Sequence, residues 1–439
     1  MRPIGIPDEW LDTRALKIAL VLCALLATAV RLFLLIVYAH PTNPYLWEFG
    51  VVARNLATTG TYALFAPSVP SAYMPPGYPV LIYLFYRVFG IGPVAHVALS
   101  AVVFLLELAI PFLVWRIAAH LWDRTTGLVA FLLALFWPHF LLLAGRLNSV
   151  SLYVPILIAA CGVLFLPRLS LPAKAAICGI TLGLYATMRW EAAVYLVPFG
   201  YWFLRQSATP ARRRLLALAL LAATFAVPIV PWLVRNYYVY DRFVLSTQGW
   251  RNVVRGHHAN ATGTARDPWP AGAQAFDEGE SAGGTPLPGV ELPTNEKHAL
   301  PMDEIAVDSI HRREALSYIA SHPRHEVILA LRKFFYFNVA DFTHPVDRLW
   351  PIWLPSFAAL VIGLVFWLRT GTRNLDQQLL WAIYGLQMII AMAFHVVPRY
   401  RMTVVFVPVL FLAAWIASRA LPALVTLRDK RAAGTSSQP

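Results

Sequence analysis

The feature that most constrains this chain is its repetition of apolar runs, most of them long enough, or nearly so, to cross a bilayer. A run of roughly twenty apolar residues is poorly tolerated in water, and within lipid its backbone can satisfy its own polar groups only as a helix. The first run is Ile18–Tyr38, and nine more follow at Val94–Trp115, Leu128–Leu143, Leu152–Leu166, Ala173–Met188, Ala192–Leu204, Leu215–Val234, Ile352–Leu368, Leu379–Phe394 and Met402–Ala417. The pattern predicts an all-α polytopic membrane protein with about ten transmembrane helices. Composition agrees, with 58% hydrophobic and 13% charged residues, where a soluble domain carries about 25% charged residues. Soluble enzymes, secreted domains and disordered scaffolds are excluded. Val80–Phe89 is apolar but too brief to span, so it reads as an interfacial or re-entrant helix. The end of the first run, Arg31–Tyr38, is bulky and offers no small-residue cleavage site, which predicts an uncleaved first helix.

A net charge of +13 would suit a nucleic-acid partner if the charge formed one patch. It is scattered instead, in short clusters between apolar runs. Arg116 and Arg124, Arg168 and Lys174, Arg205 with Arg212–Arg214, Arg369 and Arg373, and Arg419 with Arg428, Lys430 and Arg431 fall on alternate connections. That is the positive-inside distribution, and it predicts a cytoplasmic location for these loops and for both termini. The three cysteines, Cys23, Cys161 and Cys178, sit inside apolar runs and form neither a disulfide framework nor a zinc site.

The chain is accordingly read as a cytoplasmic N-terminus (1–17), an N-terminal transmembrane module (18–234) with a first external loop (39–93), a large external loop (235–350), C-terminal helices (351–418) and a disordered cytoplasmic tail (419–439). Within the large loop, Thr262–Pro301 is rich in Gly, Pro, Ala, Asp and Glu and reads as a flexible flap. Asp303–Phe337 returns to helical periodicity, with Ile305, Ile310, Leu316, Ile319 and Ile328 spaced for a surface-lying helix pair. Irregular structure concentrated on the non-cytoplasmic face is where chemistry is expected.

Several charged residues there need a reason. Glu48 lies between Trp47 and Phe49 near the hydrocarbon boundary. Partial desolvation would raise its pKa and suit it to take a proton from a hydroxyl, the alternative being an ordinary helix carboxylate or a pair with Arg54. Arg146, Arg189, Arg235, Arg399 and Arg401 stand at the outer ends of spans, against the inside bias. Convergent guanidiniums bind phosphate bidentately, whereas scattered ones snorkel to lipid headgroups. Glu107 is the acid deepest in a span, read either as a proton-coupling group or as a neutral acid hydrogen-bonded to a neighbouring helix. His257 and His258 are adjacent, a poor arrangement for shared metal ligation, and are read as loop residues near substrate.

In order along the chain, Glu48-Phe49…Ala53-Arg-Asn-Leu56…Gly60-Thr-Tyr62, Tyr73-Met-Pro-Pro-Gly-Tyr-Pro79, Phe89-Gly90, Thr187-Met-Arg189, Pro231-Trp-Leu-Val-Arg-Asn236, Arg255-Gly-His-His-Ala-Asn-Ala-Thr-Gly263 and Pro398-Arg-Tyr-Arg401 resemble the polyprenyl-phosphate-sugar-dependent glycosyltransferases of the GT-C superfamily. The likeness is to the family 39 type, related to protein O-mannosyltransferases and to the aminoarabinose transferase of lipid A. It implies a GT-C-like bundle in a bacterial inner membrane, with the active site on the extracytoplasmic face. It implies Glu48 as the general base, Arg399 and Arg401 with Arg189 and Arg235 on the donor phosphate, and Tyr73, Tyr78, His257 and His258 beside substrate. The expected partners are a polyprenyl-phosphate sugar and a lipid, polysaccharide or protein acceptor.

Two departures stand out. Many relatives carry a second acid where this chain has Tyr73 and Met74, and another where it has Ser149 and Ser151. The resemblance therefore implies no particular acceptor and no assigned metal ligand, and a divalent cation stays open. Glu191, beside Arg189, is the nearest substitute acid, with an ion pair as its alternative role. The expected activity is inverting glycosyl transfer. A flippase for a lipid-linked sugar is the alternative, though no internal repeat of the transporter kind is found.

Overall fold

The first helix shows what solvent this fold is built for. Helix α1 (Arg14–Leu34) starts at Thr13, whose hydroxyl accepts the Leu16 amide at 3.4 Å, and runs on through a π-helical turn at Leu35–Ala39. Only Ala27 and Arg31 of α1 are buried, while Leu22, Leu25 and Leu26 are 60, 61 and 58% exposed. An unbroken apolar face of this kind is stable against lipid tails and would aggregate in water. The one polar anchor is Arg31, which donates to the carbonyls of Leu135 and Ala134 at 2.8 and 3.4 Å on a neighbouring helix.

The computed structural model describes residues 13–64, 66–265, 304–345, 347–370 and 374–420. The predicted disordered tail beyond 420, residues 1–12 and all but the first four residues of the predicted flap lie outside the described residues. Helices follow in order as α2 (Trp47–Thr59), α3 (Gly77–Phe89), α4 (Pro93–Leu108), α5 (Ile110–Leu121), α6 (Arg124–Phe136), α7 (Pro138–Leu141), α8 (Ser149–Leu164), α9 (Leu171–Ala186), a 3-10 turn at Trp190–Tyr195, α10 (Leu196–Leu204), α11 (Ala211–Ala226), α12 (Val230–Tyr240), α13 (Gly249–Gly256), α14 (Glu304–Ser321), α15 (Pro323–Asn338), α16 (Trp350–Thr370), α17 (Leu375–Ala393), α18 (Pro398–Met402) and α19 (Phe406–Trp415). Among the described residues there is no β-strand, only an isolated bridge between Thr264 and Val396.

This is an all-helical membrane protein. The expected ten full spans, however, do not appear as ten long helices. Among the described residues, Arg14–Ala39, Pro93–Leu121 and Trp350–Thr370 are long and apolar enough alone, and α11 with α12 makes a fourth if its 49° bend is one span. Chain chemistry explains the shortfall. Pro138 ends α6, the Arg189 turn divides α9 from α10, and Pro228 lies in the α11–α12 break. Short apolar helices persist because neighbouring helices, rather than lipid, receive their ends. The surface helix pair expected from periodicity is present as α14 and α15, divided at His322–Pro323.

The core is laid down around α8, whose Tyr153, Val154, Leu157, Ile158, Ala160 and Cys161 are buried among residues of α5, α6, α9 and α19. Helices α9 and α11 approach each other closely. A Cβ added at Gly179 would lie 2.5 Å from the Leu221 carbonyl oxygen, and one at Gly183 would lie 2.4 Å from that of Phe225. Gly179 and Gly183 are four apart and share a face, the small-residue arrangement that lets membrane helices touch backbone to backbone. Overpacking such a contact costs about 1–3 kcal/mol. Gly183→Leu is therefore expected to lower the detergent melting temperature by several degrees. Gly385→Ala, on α17 with nothing within 4 Å of the added carbon, should leave it unchanged or raise it. Equal melting of both variants would contradict the packing assignment.

Candidate active site

Four irregular segments meet at one end of the bundle because specific hydrogen bonds tie them. The Gly77 amide donates to the Thr187 carbonyl at 2.7 Å, docking the Pro-Pro-Gly segment on the end of α9. Glu304, in the first turn of α14, accepts from the Ala72 amide at 2.9 Å, the Thr247 hydroxyl at 2.8 Å and the Tyr240 hydroxyl at 3.2 Å. One carboxylate thus holds together the first external loop, the end of α12 and the approach to α13. On the other side, the Val396 amide donates to the Gly263 carbonyl at 2.9 Å, and His395 Nδ1 lies 3.2 Å from the Asn252 carbonyl.

This stitching gathers positive charge. The Tyr400 ring is the hub: the Arg189 guanidinium lies 4.6 Å and the Arg399 guanidinium 5.9 Å from its centroid, with the His395 ring 5.9 Å away. Arg189 also lies 5.8 Å from the Tyr153 ring and pairs with Glu191, so the candidate substitute acid is that arginine's counter-ion. Burial, reinforced by Arg255, Lys333 and Arg189, holds the His395 imidazole down to about 3, so it is neutral at physiological pH. A buried corner where three cations surround a neutral imidazole is suited to receive an anion.

The cationic run continues towards Glu48. Arg255 reaches Tyr73 as well as His395, and Arg251 of the same helix donates to the Tyr73 hydroxyl at 2.5 Å. Burial pushes the Tyr73 phenol up, Arg251 and Arg255 oppose the rise, and Glu48 adds to it. Tyr73 therefore lies within electrostatic reach of both the carboxylate and the guanidiniums. Glu48 itself is half-buried in the first turn of α2. The preceding Trp47 holds φ at +55°, a left-handed conformation that costs an indole-bearing residue about 1–2 kcal/mol. Strain of this kind persists where surrounding structure fixes a functional segment.

Other expected site residues are placed elsewhere. Two of the four arginines anticipated on a phosphate are used structurally. Arg401 is buried, its Nη2 2.6 Å from Asp347 and its Nη1 on the Val339 carbonyl. Arg235 donates to the carbonyls of Ser71 and Tyr62 at 2.9 and 3.2 Å and to the Asn236 side chain at 2.7 Å, which fastens the first external loop. Tyr78 is fully buried, its ring 5.1 Å from that of Phe49, and belongs to the α2–α3 core. His257 pairs with Glu326 at 2.6 Å, and His258 Nδ1 accepts the Asn260 amide at 3.2 Å. Glu107 accepts the Gly145 amide at 2.6 Å and faces Arg31 and Arg146 deep in the bundle, away from the Tyr400 group.

Sequence reasoning missed Arg251, Arg255 and Lys333. Arg251 and Arg255 are one helical turn apart, so the signal was present, but their loop gave no sign that it folds as a helix over the site. Among the described residues no group of three His, Cys, Asp or Glu side chains is placed to hold a metal ion.

No protein-family model matches the chain. No curated protein sequence matches it either. Solved structures do. The archaeal oligosaccharyltransferase AglB from Archaeoglobus fulgidus, in complex with an inhibitory peptide and a dolichol-phosphate, aligns at 16% identity with a TM-score of 0.51, over 96% of this chain and 51% of its own. The same oligosaccharyltransferase tethered to an acceptor peptide aligns at 14% identity with a TM-score of 0.52, over 92% of this chain and 49% of its own. ArnT from Cupriavidus metallidurans, bound to undecaprenyl phosphate, aligns at 15% identity with a TM-score of 0.39, over 90% and 77%. The chain spans about half the length of the oligosaccharyltransferases it matches. It shares the fold of these oligosaccharyltransferase structures.

Removing one partner of a buried ion pair costs about 3–5 kcal/mol, while replacing both with apolar groups is often neutral. Asp347→Ala is expected to lower the melting temperature sharply, and Asp347→Leu with Arg401→Met to restore it together with ligand binding. A double variant that folds but no longer binds polyprenyl phosphate would return Arg401 to the site.

Proposed function

We propose that this chain is an inverting glycosyltransferase that moves a sugar from a polyprenyl-phosphate donor to an envelope acceptor on the extracytoplasmic face of a bacterial inner membrane. The observation that carries this reading is the convergence of Arg189, Arg399 and Arg255 around Tyr400 and the neutral His395, with Glu48 beyond Tyr73. The shared fold with an oligosaccharyltransferase solved with a dolichol-phosphate supports it. In this account about ten membrane crossings, some made by the short helices in pairs, carry the external segments 39–93 and 235–350 on the active face.

The single phosphate of the donor sits on the guanidiniums, and its isoprenoid tail lies among the helices. Glu48 takes the proton of the acceptor hydroxyl. The acceptor oxygen bonds to the anomeric carbon from the face opposite the phosphate, and the carbon–oxygen bond to the phosphate breaks with its electron pair remaining on polyprenyl phosphate. Charge grows on that leaving oxygen, where fixed guanidiniums in a water-poor site stabilise it most. Arg189 shares its charge with Glu191. Tyr73, bonded to Arg251 and facing Glu48, orders the surface on which the acceptor hydroxyl rests.

Loss of a positioned general base costs about 10²–10⁴ in rate. Glu48→Gln should lower sugar transfer from a radiolabelled polyprenyl-phosphate donor by at least about 100-fold, with polyprenyl-phosphate affinity changed less than about threefold. Arg399→Ala should instead weaken that affinity. Near wild-type turnover in Glu48→Gln would remove Glu48 from the mechanism. Movement of the intact donor between leaflets without release of polyprenyl phosphate would favour a flippase.

A further inference from the structure

Behind the candidate site lies a buried polar group that the transfer reading does not use. Helix α15 turns Glu326, Leu329, Lys333 and Phe337 to one side, and Lys333 is fully buried. Its ammonium donates to the Met392 carbonyl at 3.1 Å and lies 2.9 Å from His257 Nε2. The same Nε2 is 3.1 Å from the Ala393 carbonyl, and His257 Nδ1 is 2.6 Å from Glu326. A Cβ on Gly256 would come within 1.7 Å of the Phe394 carbonyl oxygen, so the end of α13 is pressed directly on the turn at 392–394. Arg255 stands just before this contact in sequence, and Arg399 and Tyr400 just after the turn. The cluster therefore joins the two cationic segments of the candidate site.

The hydrogen-bond partners admit two equivalent proton arrangements. In one, neutral His257 donates from Nδ1 to Glu326 and accepts at Nε2 from the Lys333 ammonium. In the other, the imidazolium donates to Glu326 and towards Ala393, and the lysine is a neutral amine. Each arrangement holds one positive charge against one carboxylate. A second proton would set imidazolium against ammonium beside Arg255, Arg189 and His395. Removal of the shared proton would leave Glu326 uncompensated and end the charge-assisted bond to Met392.

We propose that Glu326, His257 and Lys333 form a single-proton latch that positions Arg255 and Arg399, so that phosphate affinity at the candidate site follows the latch's protonation. The ligand named here rests on the glycosyl-transfer reading, while the latch itself rests on the contacts above. These three are positioning residues, acting through the guanidiniums. Other charged or titratable groups at the latch are Tyr318 on α14, which feels Glu326, and His395 beyond the turn, which feels Lys333 together with Arg255 and Arg189. His395 stays neutral throughout the range tested.

Burial, with Glu326 acting against it, pushes Lys333 down to about 8. The latch is whole below that value and is lost as pH rises through it. Global stability moves the other way. The unfolded lysine titrates at its ordinary value, so between the two values the unfolded chain binds more protons and this residue makes the fold more stable with rising pH. A purely structural lysine would affect only stability, so the two readouts separate the roles.

The test uses the full chain in lipid nanodiscs from pH 6 to 10, comparing wild type, the charge-balanced variant Lys333→Met with Glu326→Gln, and Lys333→Arg. Undecaprenyl monophosphate affinity of the wild type should fall about tenfold through an alkaline limb centred near the Lys333 value. The balanced variant should bind about tenfold more weakly at neutral pH and lose the limb, with a melting temperature equal to or above wild type. Lys333→Arg should keep neutral-pH affinity and lose the limb. A balanced variant with wild-type affinity and an intact limb would overturn the proposal. Hydrogen exchange of the Val396 amide, corrected for intrinsic rate, reports the latch without any ligand. Protection should drop through the same pH in wild type only, and pH-independent protection would refute the latch. Absence of undecaprenyl-phosphate binding at every pH, with the exchange transition present, would instead reject the glycosyl-transfer reading.

Discussion

Positive charge held out of water at the end of a lipid-embedded bundle is the constraint on which the rest of this structure depends. An unpaired buried ion is expensive, and guanidiniums and ammoniums survive here because each has a specific answer. Arg401 has Asp347, Arg189 has Glu191 and two aromatic rings, and Lys333 has Glu326 through His257. Around His395 and Tyr400, burial first and the nearby cations second keep an imidazole neutral. The structural arginines donate to carboxylates or carbonyls, as Arg401 does to Asp347, and the candidate ligand-binding arginines Arg189 and Arg399 gather around the Tyr400 ring.

Assembly of that space is a loop problem solved by few contacts. Glu304 joins the first external loop to the end of α12 and the lead into α13, and Arg235 fastens the same loop through two carbonyls. The turn at 392–396 is held by Gly263, Asn252 and Lys333. Segments hundreds of residues apart in sequence therefore share one rigid corner, while α1 stays peripheral and presents its apolar side to lipid. Such a division suits a membrane enzyme: an apolar flank open to a lipid-linked molecule and a polar end organised by fixed hydrogen bonds.

The membrane class, the helical content and the surface helices α14 and α15 were legible because each rests on local periodicity and composition. The number of full spans was not, since Pro138, the turn at Arg189 and the break before Val230 interrupt helices in ways that hydropathy averages over. At the site, the same boundary applies. The unusual position of arginines at outer span ends singled out Arg189 and Arg399, which lie around one tyrosine ring, but it could not separate them from Arg401 and Arg235. Whether a guanidinium meets a buried aspartate or a loop carbonyl depends on Asp347 and on Ser71, partners fixed only by tertiary contact. Arg255 and Lys333 were hidden for the same reason, because no motif says that α13 and α15 close on the turn after α17.

The account joins a fold shared with an oligosaccharyltransferase to a cationic corner and one carboxylate, and its centre is the place where phosphate binds. The most direct measurement is an experimental structure of the chain in a lipid nanodisc with undecaprenyl phosphate. The account predicts phosphate density against Arg399 and Arg255 beside Tyr400. Phosphate seated elsewhere, for example in the groove between Leu331 and Phe342 with the Tyr400 corner empty, would contradict it.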